Sequence, residues 1–307
     1  MSHSPNSTLT GIAFKVASVV IFLAMASLLK ASQGVPAGEL VFFRSFFGLV
    51  PVIAWLAYRR QLRDGIRTQH LRGHLARGFV GTISMGIGFF ALTQLPLPES
   101  TVLNYAMPLL IVVFSAILLH ETVRLYRWSA VAVGMVGVLI IAWPSLTLFS
   151  SGVSSRAALG VGAALTAASL GAVAQLLVRR LVDTERSATI VFYFLASSSV
   201  ISLLTIPFGW VMPTPQQALF LIGAGICGGT AQILLTESYR HADMSVVAPF
   251  EYTSLVFSIA IGFLAFGDVP TWQMLVGGLI VVGSGLFIIF RERQLGKARP
   301  EKEVPPQ

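Results

Sequence analysis

The residues that could do chemistry in this chain are few, and most of them stand inside long apolar runs. Glu251 lies in Pro249-Phe250-Glu251-Tyr252, within the run 244–266. An ionisable side chain at membrane depth costs roughly 2.5–3.5 kcal/mol on insertion scales, so it needs a partner or a cavity. Two readings stand for Glu251: it binds a polar group of a solute or takes up a coupling proton, or it forms a buried pair with a basic residue that holds two helices together. Pro249 lacks a backbone donor, which can open a helix where a ligand docks. Arg44 sits among Phe42, Phe43, Phe46 and Phe47. It either pairs with Glu39 or contacts a solute, and the four rings either offer a flat surface to an aromatic ligand or face lipid.

Asn104 and Tyr105 supply an amide, a ring face and a hydroxyl, and Tyr252 beside Glu251 supplies the same ring and hydroxyl. Such groups suit a ligand with aromatic and polar parts. Gln175 and Gln232 either line the same cavity or bond between helices. Lys15 and Lys30 lie within snorkelling reach of opposite interfaces and mark the ends of one span. Glu121 and Asp268 stand at span ends, where a structural or gating role fits them best.

Covalent and metal chemistry find no support. The five histidines, His3, His70, His74, His120 and His241, fall in termini or loops, and none has metal-ligand spacing. Ser84 in Gly81-Thr82-Ile83-Ser84-Met85 has no histidine at the same depth to activate it. No G-x-x-x-x-G-K-[ST] loop is present, which excludes an ATP-driven pump on this chain alone. No catalytic residue, metal ligand or cofactor is therefore assigned. Cys227 is the one cysteine, so no intrachain disulfide can form.

The elements that must position these groups follow from composition. Of 307 residues, 55% are hydrophobic and 11% charged, roughly half the charged fraction of a soluble domain. Apolar runs of about 20 residues, the length needed to cross a bilayer, occupy 10–30, 38–58, 75–95, 99–119, 126–144, 157–178, 188–208, 216–236, 244–266 and 271–290. Barrel strands would be about half as long and would alternate. The net charge of +8 does not point to nucleic acid, because the arginines gather at span ends and form no aromatic-interleaved face. Arg59, Arg60, Arg63, Arg67, Arg72 and Arg77 follow the second span, Arg124 and Arg127 the fourth, Arg179, Arg180 and Arg186 the sixth, and Arg240 the eighth. Arg291, Arg293, Lys297, Arg299 and Lys302 follow the tenth. Only Lys30 and Arg156 lie near the other edge. The positive-inside rule then places both termini in the cytoplasm, with the first span an uncleaved helix.

At an offset of 147 residues the chain meets itself: Tyr105 with Tyr252, Asn104 with Glu251, Glu121 with Asp268. The acid is followed in each half by a tryptophan, Trp128 or Trp272, and a glycine-bearing last helix. Five spans per half is an odd number, so the second half runs inverted. The expected fold is an all-α integral membrane protein with ten transmembrane helices in two inverted five-helix repeats. Secondary transporters are built this way, with the substrate site at the repeat interface.

The stretches Pro249-Phe250-Glu251-Tyr252-Thr253-Ser254-Leu255 and Phe266-Gly267-Asp268-Val269-Pro270-Thr271-Trp272, their partner Pro108…His120-Glu121-Thr122, and the helix Gly134–Ile141 resemble the repeat of the EamA family within the drug/metabolite transporter superfamily. Leu255 stands where the first repeat has Pro108, which makes any kink there asymmetric. The resemblance implies repeats at 10–144 and 157–290 and a polar tail at 291–307. It also implies alternating access around a site lined by the second, fourth, ninth and sixth spans, with Glu251, Tyr252, Tyr105, Asn104 and Arg44 as the residues that bind or couple. Family substrates include riboflavin, S-adenosylmethionine and amino acids or their derivatives. The segments 11–15 and 42–47 are similar to those of members from soil alphaproteobacteria, among which riboflavin importers occur, which makes riboflavin uptake the leading expectation, with export of amino acids or their derivatives or S-adenosylmethionine transport as alternatives. The partners implied are a small-molecule substrate and the lipid bilayer of the inner membrane; oligomeric state stays open, a homodimer included. The topology is testable by fusing green fluorescent protein or alkaline phosphatase after Gln307: fluorescence without phosphatase activity is expected, and the reverse pattern would invert the orientation.

Overall fold

The computed structural model describes residues 5–118, 120, 123–150, 155–182, 184–242 and 247–297. Glu121 lies outside them, as does the end of the tail. Every described element is a helix of some kind: α1 (Pro5–Ala31), α2 (Ala37–Tyr58), the short α3 (Leu62–Ile66), α4 (Leu71–Gln94), α5 (Leu97–Asn104), α6 (Ala106–Leu118), α7 (Leu125–Ser150), α8 (Ser155–Val182), α9 (Ser187–Leu203), α10 (Pro215–His241), α11 (Thr253–Ile261) and α12 (Trp272–Lys297). Among the described residues nine helical stretches are long and apolar enough to cross a membrane, and Ala188–Leu203 on α9 is a shorter apolar tenth. At about 1.5 Å per residue that stretch falls short of the ~30 Å hydrocarbon core. A 3-10 turn at Ile206–Phe208 prolongs it until Gly209, at φ 94°, turns the chain away.

The fourth and ninth spans are broken. Pro108 has no N–H to offer the carbonyl of Asn104, and the chain steps from α5 to α6 at Tyr105, whose N–H donates to Val102 O at 3.0 Å. In the second half a 3-10 turn at Ala248–Tyr252 precedes α11. Both interruptions fall at the tyrosines that the 147-residue offset pairs, although Pro108 has only Leu255 as its counterpart. They differ in kind, a step between two α-segments in one half and a tightened turn in the other. The ninth span then ends in a π-helical turn, Gly262–Phe266, closed by Gly267 at φ 68°.

Helix packing has the twofold character of a duplicated, inverted chain. α1 packs on α10 while α4 packs on α8; α2 packs on α10 while α4 packs on α9; α2 meets α9 and α7 meets α12. Each of these contacts between halves is the image of another or of itself. The α7–α12 contact is closest at two glycines: a Cβ on Gly137 would stand 2.8 Å from Gly277 O, and one on Gly277 would stand 2.5 Å from Gly137 O. Side chains that point away from these seams, such as Leu264 at 82% and Leu279 at 70% exposure, form the surface that lipid solvates.

The loops are tied across the halves at the arginine-rich face. Thr68 Oγ1 and the Gln69 N–H donate to Glu185 Oε1 at 2.6 and 3.1 Å. Burial pushes the Glu185 carboxyl up, but these donors and the nearby His74 outweigh it and hold the carboxyl below the usual carboxylate range. His74 is not a loop residue: it is buried in the first turn of α4, 3.8 Å from Glu185 and stacked on Tyr193. The Gly277→Val variant is expected to lose about 1–3 kcal/mol through overpacking, read as a lower melting temperature in detergent. An unchanged melt would mean that α7 and α12 separate freely.

Candidate functional site

Between the halves lies a cavity of about 480 Å³, within the ~300–1,000 Å³ typical of small-molecule sites. Its walls come from α1, α4, the α5–α6 break, α8 and the 3-10 turn before α11. The second span contributes nothing to it, contrary to the sequence expectation, whereas the fourth contributes most, followed by the third and the first. The reason is packing: α2 is sandwiched between α9 and α10, on the far side of α1 and α4.

Most of the lining is apolar, with Phe22, Met25, Met85, Phe89 and Met107 among it. The polar groups cluster where the two broken spans meet. Tyr105 Oη and Ser254 Oγ share a short hydrogen bond, and Ser254 Oγ lies 2.6 Å from the Glu251 carbonyl to which it can also donate. The Asn104 side chain faces the cavity and makes no hydrogen bond among the described residues, so its amide is open to a ligand. Tyr252 does not line the cavity. It stands behind Tyr105, edge to face at 5.2 Å between ring centroids, with its hydroxyl against Gly285 of α12. Larger residues than glycine there would push the ring forward.

Glu251 forms an ion pair with Lys15 of α1. The lysine is buried at 3% side-chain exposure, whereas the carboxylate is half-exposed at 51% and lines the cavity. Lys15 is therefore not a snorkelling end-marker. Its charge is held inside because an opposite charge meets it, and the carboxylate stays within reach of whatever fills the cavity. Lys30 is also more than an end-marker. Its Nζ donates to Leu95 O at 2.8 Å and to Asp268 Oδ2 at 2.9 Å, and the same oxygen accepts the Leu97 N–H at 2.9 Å. Fifteen residues along a helix is about 22 Å, so α1 is latched to the ninth span at two depths, beside the polar cluster and at the end of the cavity.

Arg44 does not pair with Glu39. The Glu39 carboxylate accepts the Val211 N–H at 3.1 Å, and Arg44 turns instead toward the Phe194 ring, 5.8 Å from its centroid. The four phenylalanines form a ladder along α2, Phe42 stacked on Phe46 and Phe43 on Phe47, outside the cavity. Gln175 faces outward, and Gln232 lines only a small crevice between α2, α9 and α10. Arg77, which the sequence places among loop arginines, lies inside α4 with its guanidinium 3.7 Å from the Phe194 centroid. The ionic groups belong to one side of the pseudo-symmetry only: at the 147-residue offset Lys15 meets Gly162, as Glu251 meets Asn104.

Comparison with known proteins places these features in a wider group. Residues 9–143 and residues 157–290 each match the EamA-like transporter family. A riboflavin transporter of Vibrio cholerae is 30% identical over 96% of this chain and 94% of its own length. The pseudopaline exporter of Pseudomonas aeruginosa is 31% identical over 89% and 93%. An S-adenosylmethionine uptake transporter of Rickettsia conorii is 24% identical over 99% and 100%.

The ion pair is open to a double-mutant cycle on the purified protein in detergent. Glu251→Gln removes the counter-charge that meets a buried ammonium and is expected to cost about 3 kcal/mol. Lys15→Met costs less, because the cavity solvates the carboxylate left behind, and the double variant recovers part of the loss. Losses that simply add would mean that the two side chains do not interact.

Proposed function

The chain belongs to the EamA-like transporter family, and we propose that it takes up riboflavin across the inner membrane by alternating access, with both termini in the cytoplasm. One observation carries the substrate: the cavity joins a long apolar, aromatic and methionine-rich wall to a polar cluster where the two broken spans meet. A flat fused-ring solute with a polar chain matches that division. Aromatic and thioether side chains pack on the ring faces, and Asn104, Tyr105 and Glu251 meet the hydrogen-bonding groups. The identity with the Vibrio cholerae riboflavin transporter over nearly the whole of both chains supports the same reading.

In this mechanism the two halves rock about the cavity while α1 and the ninth span make and break their latches. Glu251 is the coupling group. With Lys15 engaged it is a neutralised pair; when a proton or a polar substrate group takes the carboxylate, Lys15 is released and α1 is free to move. Tyr252 is a positioning residue that sets how far the Tyr105 ring projects. A second reading, export of an amino acid derivative, is favoured by the 31% identity with the pseudopaline exporter, because the same architecture serves either direction.

A riboflavin auxotroph expressing the chain, supplied with labelled riboflavin at low concentration, tests the proposal. Uptake well above the empty vector is expected, with a loss of at least tenfold for Glu251→Gln at unchanged expression. No uptake by a membrane-inserted, well-expressed protein overturns riboflavin and moves the export reading forward. Full uptake by the Glu251→Gln variant removes that carboxylate from the mechanism.

A further inference from the structure

Two arginines lie behind the cavity wall with no counter-charge. Arg44 on α2 is 6% exposed. The Nε and Nη1 atoms of both Arg44 and Arg77 are sealed off and lack any hydrogen-bond partner. They converge on one ring, Phe194 of α9, at 5.8 and 3.7 Å from its centroid. Among the described residues no carboxylate pairs with either. Glu39, the nearest acid along α2, is committed to the Val211 N–H.

Their depth makes the arrangement unusual. Arg44 stands seven residues into α2 and Arg77 six residues into α4, about 10 Å from each helix start at 1.5 Å per residue. The two starts lie at opposite faces of the bundle, so the long side chains reach inward from opposite sides. Two like charges in a poorly polarisable interior repel one another, and a shared aromatic face offsets only a small part of that cost. Helix packing has kept them there nonetheless. Arg44 Nε lies over Gly228 of α10, where a Cβ would stand 3.2 Å from it and 2.8 Å from the Met25 sulfur. Met25 is a cavity wall residue, so the Arg44 guanidinium and the cavity wall approach one another over the same glycine. Arg77 Nη1 occupies the space over Gly81 in the same way.

We infer that Arg44 and Arg77 form an oxyanion subsite next to the cavity, which takes a carboxylate or phosphate group between two guanidinium forks. Planar guanidinium donors suit such groups, each fork meeting two oxygens, and a net charge of two is what a bound oxyanion neutralises. Rotation of the Met25 side chain joins the subsite to the main cavity. The oxyanion is either part of the transported solute or a free inorganic ion carried with it. The inference rests on the transporter reading and not on riboflavin.

The purified full-length protein in neutral detergent, melted in buffers of fixed ionic strength, provides the test with three probes: riboflavin, riboflavin 5′-phosphate and inorganic phosphate. At least one anionic probe is expected to raise the melting temperature saturably, with an apparent affinity at least tenfold weaker in Arg44→Met and in Arg77→Met. A response to riboflavin 5′-phosphate without one to phosphate assigns the oxyanion to the solute, and a response to phosphate assigns it to a free ion. If neither anion distinguishes wild type from the variants, the subsite is overturned. If phosphate binds and riboflavin does not, the flavin reading fails alone. A second readout guards against misfolding: in buffer with chloride as the sole anion and no probe, both variants are expected to melt at or above the wild-type temperature, because an uncompensated buried cation is replaced by an apolar chain. A marked fall there would reduce the arginines to packing struts around Phe194.

Discussion

The ion pair between Lys15 and Glu251 joins the first helix of one repeat to the broken helix of the other, and much else in the molecule is arranged around it. A lone charge at that depth would be expelled or neutralised. Held together, the two charges tie α1 to the turn at Ala248–Tyr252, and that turn places Ser254 against Tyr105. Because the carboxylate is half-exposed while the ammonium is buried, the pair is reachable from one side only. The polar end of the cavity is therefore also the joint between the halves.

Backbone chemistry supplies the second constraint. In hydrocarbon each peptide group needs a partner, so irregular chain survives only against protein or a cavity. The interruptions at Tyr105 and at 248–252 sit at the cavity wall for this reason. One is driven by a proline within the helix and the other by a proline at the start of a 3-10 turn. The two halves interrupt the corresponding span by different residues and with different local geometry.

The ten spans were legible because span length and charge asymmetry are local properties. The boundaries 38–58 and 99–119 fall within a few residues of α2 and of α5–α6. That Glu251 needs a partner or a cavity was legible too, as a carboxylate in an apolar run. Its partner was not, since residues 236 apart meet only through the packing of α1 against the ninth span. Lys30 with Asp268 escaped notice for the same cause. Arg77 was counted with the arginines of the preceding loop, although the expected span 75–95 already held it and α4 begins still earlier, at Leu71. Glycines at 78 and 81, which crowd Ser197 and Phe194, were the available hint that this segment was already helix.

The one-sided placement of charge has a consequence for energetics. Were the two repeats chemically alike, the conformations open to either side of the membrane would be related by a half-turn and have equal free energy. Lys15 and Glu251, set against Gly162 and Asn104 at the corresponding positions, remove that degeneracy. The empty protein has a resting preference, and its two barriers differ in height. Directional bias of this kind is a ratio of populations set by a few kcal/mol, and here it is written into the side chains while the scaffold itself remains indifferent.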